Sequence, residues 1–131
     1  MGEFKPLLTF GDSTVLERDI TLFRDAGIED VRVVIGHRAG DLLPLVERLR
    51  ARPVLNERYS DGMFSSVLAG VASLGDDVEA FFLLPVDIPL VGRRTIALLA
   101  EAFRRGEGSI LYPSFYGKRG HPPLIAARFR R

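Results

Sequence analysis

The chain has 131 residues, a length typical of one domain, with 47% apolar and 27% charged residues. This apolar fraction excludes disorder as the main state, and a formal charge of +1 gives no support to nucleic-acid binding. The absence of cysteine excludes a disulfide scaffold, a thiolate zinc site and a cysteine nucleophile. No apolar run approaches the length of a membrane span, and no signal peptide begins the chain, so we expect a cytoplasmic protein.

Helix-like and strand-like segments alternate along the chain. Thr14 and Glu17 predict a capping box for a first helix, which ends at Gly27. The elements predicted after it are a strand over 31–35, a helix beginning at Asp41 with Pro44 in its first turn, a short strand over 54–55, a helix over 64–74, a strand over 81–86, a helix over 94–105, and strand candidates over 109–112 and 123–127. This alternation predicts an α/β domain with a mostly parallel sheet, whose ligands bind at the carboxyl ends of the strands.

The segment 81–86 is apolar throughout, which predicts a strand buried on both faces. Asp87 follows it directly. A carboxylate at the end of a dry strand suits a hard cation such as magnesium. An Asp-x-Pro turn at a strand end is an equally good interpretation of this residue.

A glycine-containing turn follows the short strand and opens the third helix. Gly62 and the small polar residues after it can bring backbone N–H groups close to a ligand, and a Cβ at Gly62 is then expected to collide with that ligand. The simpler interpretation is an ordinary helix N-cap.

Two further candidates are basic. Lys5 lies near the terminus, where a lysine is usually solvated. The loop over 117–122 contains two glycines, two cations and one imidazole, which suits either an anion or substrate loop or a solvated turn.

Four segments, taken in order, are more specific than any one of them. They are Met1-Gly2-x-x-Lys5-Pro6-Leu7-Leu8, then Asn56-x-x-Tyr59-x-x-Gly62-Met63-x-Ser65-Ser66, then Pro85-Val86-Asp87-Ile88-Pro89-Leu90, and last Gly117-x-x-Gly120-His121-Pro122. This set resembles the MobA-like nucleotidyltransferases over nearly the whole chain, and it is most similar to the molybdenum-cofactor cytidylyltransferase branch.

The resemblance implies a three-layer, Rossmann-like fold of the glycosyltransferase-A type, with helices on both faces of the sheet. It also implies transfer of a nucleoside monophosphate, CMP from CTP, to a phosphorylated acceptor such as the molybdopterin cofactor, with Mg²⁺ as cofactor and pyrophosphate as product. By resemblance, Lys5 and Asp87 are catalytic, Asp87 binds the metal, Lys5, Asn56, Gly62, Met63 and Ser66 bind the nucleotide, and Gly120, His121 and Pro122 lie near the acceptor.

The chain also departs from the family pattern. The glycine-rich loop that precedes Met-Gly in the family is absent, and so is the later Gly-Asp motif with its second metal ligand. We therefore expect 1–131 to be a single but partial nucleotidyltransferase-like domain that binds no NTP tightly alone, with a reading frame that continues upstream of Met1. The alternatives are a non-catalytic remnant or partner-binding module, and a related enzyme acting on a sugar phosphate or phospholactate.

Overall fold

The structure is a computed structural model that describes residues 9–10, 13–86, 92–115, 118–119 and 122–129. These residues belong to two compact units. One unit consists of Glu29–Asp76, and the other contains the described residues up to Ile28 and from Asp77 onward.

The secondary structure follows the predicted alternation of strands and helices. In chain order the elements are β1 (Thr9–Phe10), β2 (Ser13–Thr14), α1 (Val15–Asp25), β3 (Arg32–Ile35), α2 (Ala39–Arg48), β4 (Arg52–Leu55), a single 3₁₀ turn (Tyr59–Asp61), α3 (Met63–Ala72), β5 (Ala80–Phe82), α4 (Arg93–Arg104), β6 (Ile110–Leu111), β7 (Ser114–Phe115), β8 (Lys118–Arg119), β9 (Leu124–Ala126) and a second 3₁₀ turn (Ala127–Phe129). The predicted α/β class with a parallel sheet is confirmed.

The unit Glu29–Asp76 is built around one parallel pair of strands. β3 and β4 run in register from Arg32 beside Arg52 to Ile35 beside Leu55, and α2 connects them. Parallel neighbours need such a crossover. The apolar stripe of α2 is buried and forms much of the core of this unit; its residues are Leu42, Leu45 and Val46. α3 packs on the same pair of strands.

The start of α2 differs from the prediction. The helix begins at Ala39 rather than Asp41, because the Asp41 N–H already donates over 2.9 Å to the carbonyl of Arg38, the N-cap residue, so Asp41 lies inside the first turn. Pro44 therefore lies beyond the first turn, where its missing N–H removes one hydrogen bond of the helix.

The second unit contains an antiparallel sheet. β9 is its central strand, with β5 on one side and β6 on the other. α1 and α4 pack together and bury Leu16, Ile20 and Ile96. Thr14 is the N-cap of α1, since its Oγ1 accepts a hydrogen bond from the Glu17 N–H over 3.1 Å, which is one of the two bonds of the predicted capping box.

The prediction of a strand over 81–86 buried on both faces is wrong. Only Ala80–Phe82 is a strand, and the side chains of 81–86 are half-buried. The side chains are only half-buried because β5 is the outer strand of the described sheet, in which it pairs with β9 alone. No helix in the described part of the chain is both long enough and apolar enough to cross a membrane.

Candidate functional site

The two parallel strands end at the same edge, as predicted. The Asn56 N–H donates to the Ile35 carbonyl over 2.7 Å, which extends the pairing of β3 and β4 by one bond. Residues that follow the two strands therefore start from the same edge of the sheet, where parallel sheets bind their ligands.

The Asn56 side chain organises this edge. Asn56 is only 5% exposed. Its Nδ2 lies 3.0 Å from the Ser65 Oγ and 3.0 Å from the Ser66 Oγ, and its Oδ1 accepts from the Arg58 N–H over 3.0 Å. A buried amide needs such partners, since an unpaired one costs about 1 to 3 kcal/mol. Asn56 thereby joins the end of β4 to the first turn of α3.

The glycine at the start of α3 is required by the backbone. Gly62 has φ +106° and ψ 175°, a region that is nearly restricted to glycine. A Cβ on Gly62 would meet no atom of the described residues within 4 Å. These residues therefore leave the space beside Gly62 open. The predicted approach of Gly62 to a nucleobase stays a prediction.

The 3₁₀ turn that begins at Tyr59 lies against Gly36, the residue directly after β3. A Cβ on Gly36 would stand 2.5 Å from the Tyr59 Cβ and 3.0 Å from the Asn56 carbonyl oxygen. The ring of His37 lies 6.0 Å from that of Tyr59. The sequence analysis did not identify this contact, and the only signal for it was the glycine at the end of a β-branched strand.

An open groove with a volume of about 470 Å³ lies beside the first turns of α3. Its walls are formed by Asn56, Arg58, Asp61, Phe64, Ser65, Leu68 and Ala69. Phe64 is 70% exposed and Leu68 is 54% exposed, four residues apart on one face of the helix. Arg58 and Asp61 pair at the rim over 3.2 Å. The side chain of Met63, at the helix start, is 61% exposed.

The structure brings together four of the predicted nucleotide-binding residues, which are Asn56, Gly62, Met63 and Ser66. It also adds Ser65 and Arg58, which the sequence analysis did not select although both lie inside the quoted motif. Pro122, predicted near the acceptor, has a fully buried side chain in the other unit. Lys5, Asp87, Gly120 and His121 lie outside the described residues.

Acidic groups elsewhere in the described residues do not form a metal site. No three Asp, Glu or His side chains there come together as ligands. Asp19, on α1, is 6% exposed, and its Oδ1 has no hydrogen-bond partner within the described ranges. Burial raises the pKa of Asp19 from 3.8 to about 7. Because Asp87 lies outside the described residues, its role as a metal ligand stays a prediction.

A family model for the MobA-like NTP transferase domain matches residues 1–131. No curated protein sequence matches the chain.

Solved structures share the fold. Rv0371c from Mycobacterium tuberculosis has a TM-score of 0.80 and 21% identity, with 96% of this chain and 64% of that one covered. A nucleotidyl transferase from Methanothermobacter thermautotrophicus has a TM-score of 0.75 and 25% identity, and the match covers 96% of this chain and 60% of that one. Rv0371c in complex with manganese has a TM-score of 0.73 and 20% identity, with 98% and 68% covered. The chain thus spans less than two thirds of the length of the first two.

Proposed function

The chain belongs to the MobA-like NTP transferase family, and we propose that its protein transfers a nucleoside monophosphate from an NTP to a phosphorylated acceptor. CTP is the proposed donor and a molybdopterin-type phosphate the proposed acceptor. The observation that carries this proposal is the Asn56 amide, which holds the start of α3 at the carboxyl end of β4 in a chain that matches the family throughout.

The proposed reaction is a phosphoryl-type substitution. A phosphate oxygen of the acceptor forms a bond to the α-phosphorus of CTP, the bond from that phosphorus to the β-phosphate oxygen breaks, and pyrophosphate leaves with the electron pair. Attacking and leaving groups are both anionic, so catalysis depends on position and charge neutralisation rather than on a protein nucleophile. The absence of cysteine is compatible with this chemistry.

The nucleotide contacts are proposed at one edge of the parallel strands. Gly62 leaves open space beside its backbone, and Met63 is exposed next to it, so both are available to a base or ribose. Lys5 is proposed as the cation that neutralises the phosphates, by its match to the family motif.

A divalent cation is proposed at Asp87, because carboxylate oxygen is a preferred ligand of both magnesium and manganese. A structure of Rv0371c was solved with manganese, which supports a divalent cation without selecting magnesium. When bound, the ion would supply positive charge at the reacting phosphates.

The acceptor loop is proposed at Gly120, His121 and Pro122. Because the side chain of Pro122 is fully buried, we propose that it anchors the loop and restricts the backbone of His121 rather than touching the acceptor.

The test is calorimetric binding of CTP, GTP, UTP and ATP to the full-length gene product, with Mg²⁺ or Mn²⁺ present, followed by turnover with each acceptor class. We expect CTP to bind most tightly, and pyrophosphate to form with a molybdopterin-type acceptor. Pyrophosphate release with a sugar phosphate or phospholactate instead would reassign the acceptor substrate. Failure to bind any NTP would contradict the proposal and favour a non-catalytic module.

A further inference from the structure

The two adjacent serines in the first turn of α3 use their hydroxyl groups differently. The Ser65 Oγ accepts from Asn56 Nδ2 and also donates, with the Gly62 carbonyl at 2.7 Å and the Arg58 carbonyl at 3.0 Å as its acceptors. The Ser66 Oγ accepts from the same amide at 3.0 Å. In the described part of the chain no acceptor receives the Ser66 proton.

The orientation of the Asn56 amide is fixed by chemistry. Its Oδ1 faces the Arg58 N–H, which can only donate. Nδ2 therefore faces the two serine oxygens, and both must accept from it. The hydroxyl of Ser66 is left with a proton that points away from Asn56 and is available to another acceptor.

We propose that Asn56 is a positioning residue that makes Ser66 a hydrogen-bond donor to an acceptor atom of the bound nucleotide. This inference rests on the proposed function. A donor aimed before the ligand arrives costs little reorganisation on binding, which is why such groups contribute to affinity. The acceptor atom is either a base or ribose oxygen or nitrogen, or a phosphate oxygen.

The informative variant is Asn56→Asp. Its Oδ1 still accepts from the Arg58 N–H, and its second oxygen occupies the place of Nδ2 with both hydroxyls in reach. A carboxylate can only accept, so a serine must donate its own proton to stay bonded to it. Ser65 can keep its proton on the Gly62 and Arg58 carbonyls only by giving up its bond to residue 56, whereas the Ser66 proton has no such competing acceptor among the described residues and is consumed inside the protein.

In the full-length gene product, affinity for CTP should fall about tenfold in Asn56→Asp and by a similar factor in Ser66→Ala, the size expected for one lost hydrogen bond to a ligand. Ser66→Thr keeps the hydroxyl and should bind within about twofold of wild type. The matched control is Ser73→Ala. Ser73 also donates to a backbone carbonyl of α3, that of Gly70 at 2.6 Å, but it lies at the other end of the helix, so its variant should lose stability and keep its affinity.

The double variant of Asn56→Asp and Ser66→Ala separates this mechanism from repulsion between the new carboxylate and the phosphates. If Asn56 acts through Ser66, the double variant should bind no worse than either single variant. A loss of CTP affinity in the double variant equal to the product of the two single losses would overturn the inference. Hydrogen exchange of the Asn56 side-chain amide adds a test without any ligand, because exchange at the rate of a solvated amide would also overturn it.

Cytidine and tripolyphosphate are the probes that identify the atom that accepts the hydrogen bond from Ser66. Equal losses of affinity for CTP and cytidine in Ser66→Ala place this atom on the nucleoside. Losses of affinity confined to CTP and tripolyphosphate place it on the phosphates. A full-length wild-type gene product that binds no NTP would defeat both the proposed function and this inference. A wild-type protein that binds CTP and an Asn56→Asp variant that binds it equally well would defeat the inference alone.

Discussion

Gly36 and Tyr59 are in such close contact that a Cβ on Gly36 would lie 2.5 Å from the Cβ and 2.9 Å from the Cγ of Tyr59. Real Cβ atoms do not approach so closely. Gly36 lies directly after β3, and Tyr59 begins the 3₁₀ turn that precedes α3. The absence of a side chain at position 36 therefore lets the loop of the candidate site lie against the end of the neighbouring strand.

Gly36→Ala should destabilise the protein by about 1 to 3 kcal/mol, the usual cost of forcing an extra methyl group into a packed region. The φ of Gly36 is not in the left-handed region, so the cost comes from contact and not from the backbone. Gly40→Ala is the matched control, because a Cβ there meets no atom of the described part of the chain within 4 Å and Gly40 lies in a helix. Chemical denaturation should show the control unchanged or slightly more stable. Equal effects of the two variants would contradict the contact.

Gly62→Ala tests a different requirement. With φ at +106°, an alanine should cost about 1 to 3 kcal/mol from backbone strain although the space around it is open. Gly92→Ala, at the N-cap of α4 with φ −77°, is the comparison and should cost much less. Thermal melting measures both. If nucleotide also approaches Gly62, as we propose, CTP affinity should fall further in Gly62→Val than in Gly62→Ala, since the larger side chain fills more of that space.

Local patterns made much of the fold predictable. The β-branched run ending at Ile35 and the apolar spacing in α2 indicated strand and helix, and β3 pairs with β4 in the predicted parallel sense. The pattern failed over 81–86, because apolar composition does not show which neighbours a strand has.

The candidate site was only partly predictable for a related reason. The family motif pointed to Asn56 and Ser66 but not to the bonds between them, because these depend on how the segment 56–62 between β4 and α3 folds back. Asp19 did leave a signal, since it lies three residues after Leu16 on the apolar stripe of α1 and is buried with it.

Asp87→Asn tests the proposed metal ligand. An amide keeps the shape of the carboxyl group but loses its charge, so the full-length enzyme should keep its melting temperature and lose several kcal/mol of transition-state stabilisation in the presence of Mg²⁺ or Mn²⁺. Turnover is measured as pyrophosphate release across a range of metal concentrations. Asp41→Asn is a suitable control, because Asp41 is half exposed on α2, pairs with Arg38 over 2.6 Å and is not among the residues that line the groove. Near-normal turnover of the Asp87 variant would reject the assignment.

Arg32 links the C-terminal end of α3 to β3, and its replacement should loosen the unit Glu29–Asp76. Its guanidinium donates to the Ser73 carbonyl and, through Nε and Nη2, to both carboxylate oxygens of Asp30 at 3.1 and 2.9 Å. The hydrogen bond from Arg32 holds the pKa of the Asp30 carboxyl below its usual value. Only 12% of the Arg32 side chain is exposed.

Arg32→Lys should cost about 1 to 3 kcal/mol, because an ammonium group cannot reproduce the bidentate geometry and also reach the helix end. Arg104→Lys provides the comparison, since Arg104 pairs with Glu101 over 3.7 Å on the surface, and such pairs contribute about 0 to 1 kcal/mol. Urea denaturation of both variants measures the difference. An Arg32 variant as stable as the Arg104 variant would show that the link to Ser73 contributes nothing to stability.

Asp19 should make the stability of the protein depend on pH. Its folded-state pKa of about 7 lies above the ordinary value of 3.8, because burial disfavours the charged carboxylate. Between these two values the folded protein holds a proton that the unfolded chain has released. Stability from this group is therefore fully present below about pH 4, falls as the pH rises, and levels off above about pH 7. The fall is at most about 4 kcal/mol, because each pKa unit corresponds to about 1.4 kcal/mol.

Asp19→Asn removes this proton linkage while it preserves the size of the side chain. Denaturation midpoints measured from pH 5 to pH 8 should decline for the wild type and be flatter for the variant, and the two curves should differ most above pH 7. Asp25→Asn, at the C-terminal end of the same helix, controls for the general effect of removing a negative charge from α1. Parallel curves for the wild type and the Asp19 variant would show that Asp19 is ionised in the folded protein, with its unpaired Oδ1 solvated rather than protonated.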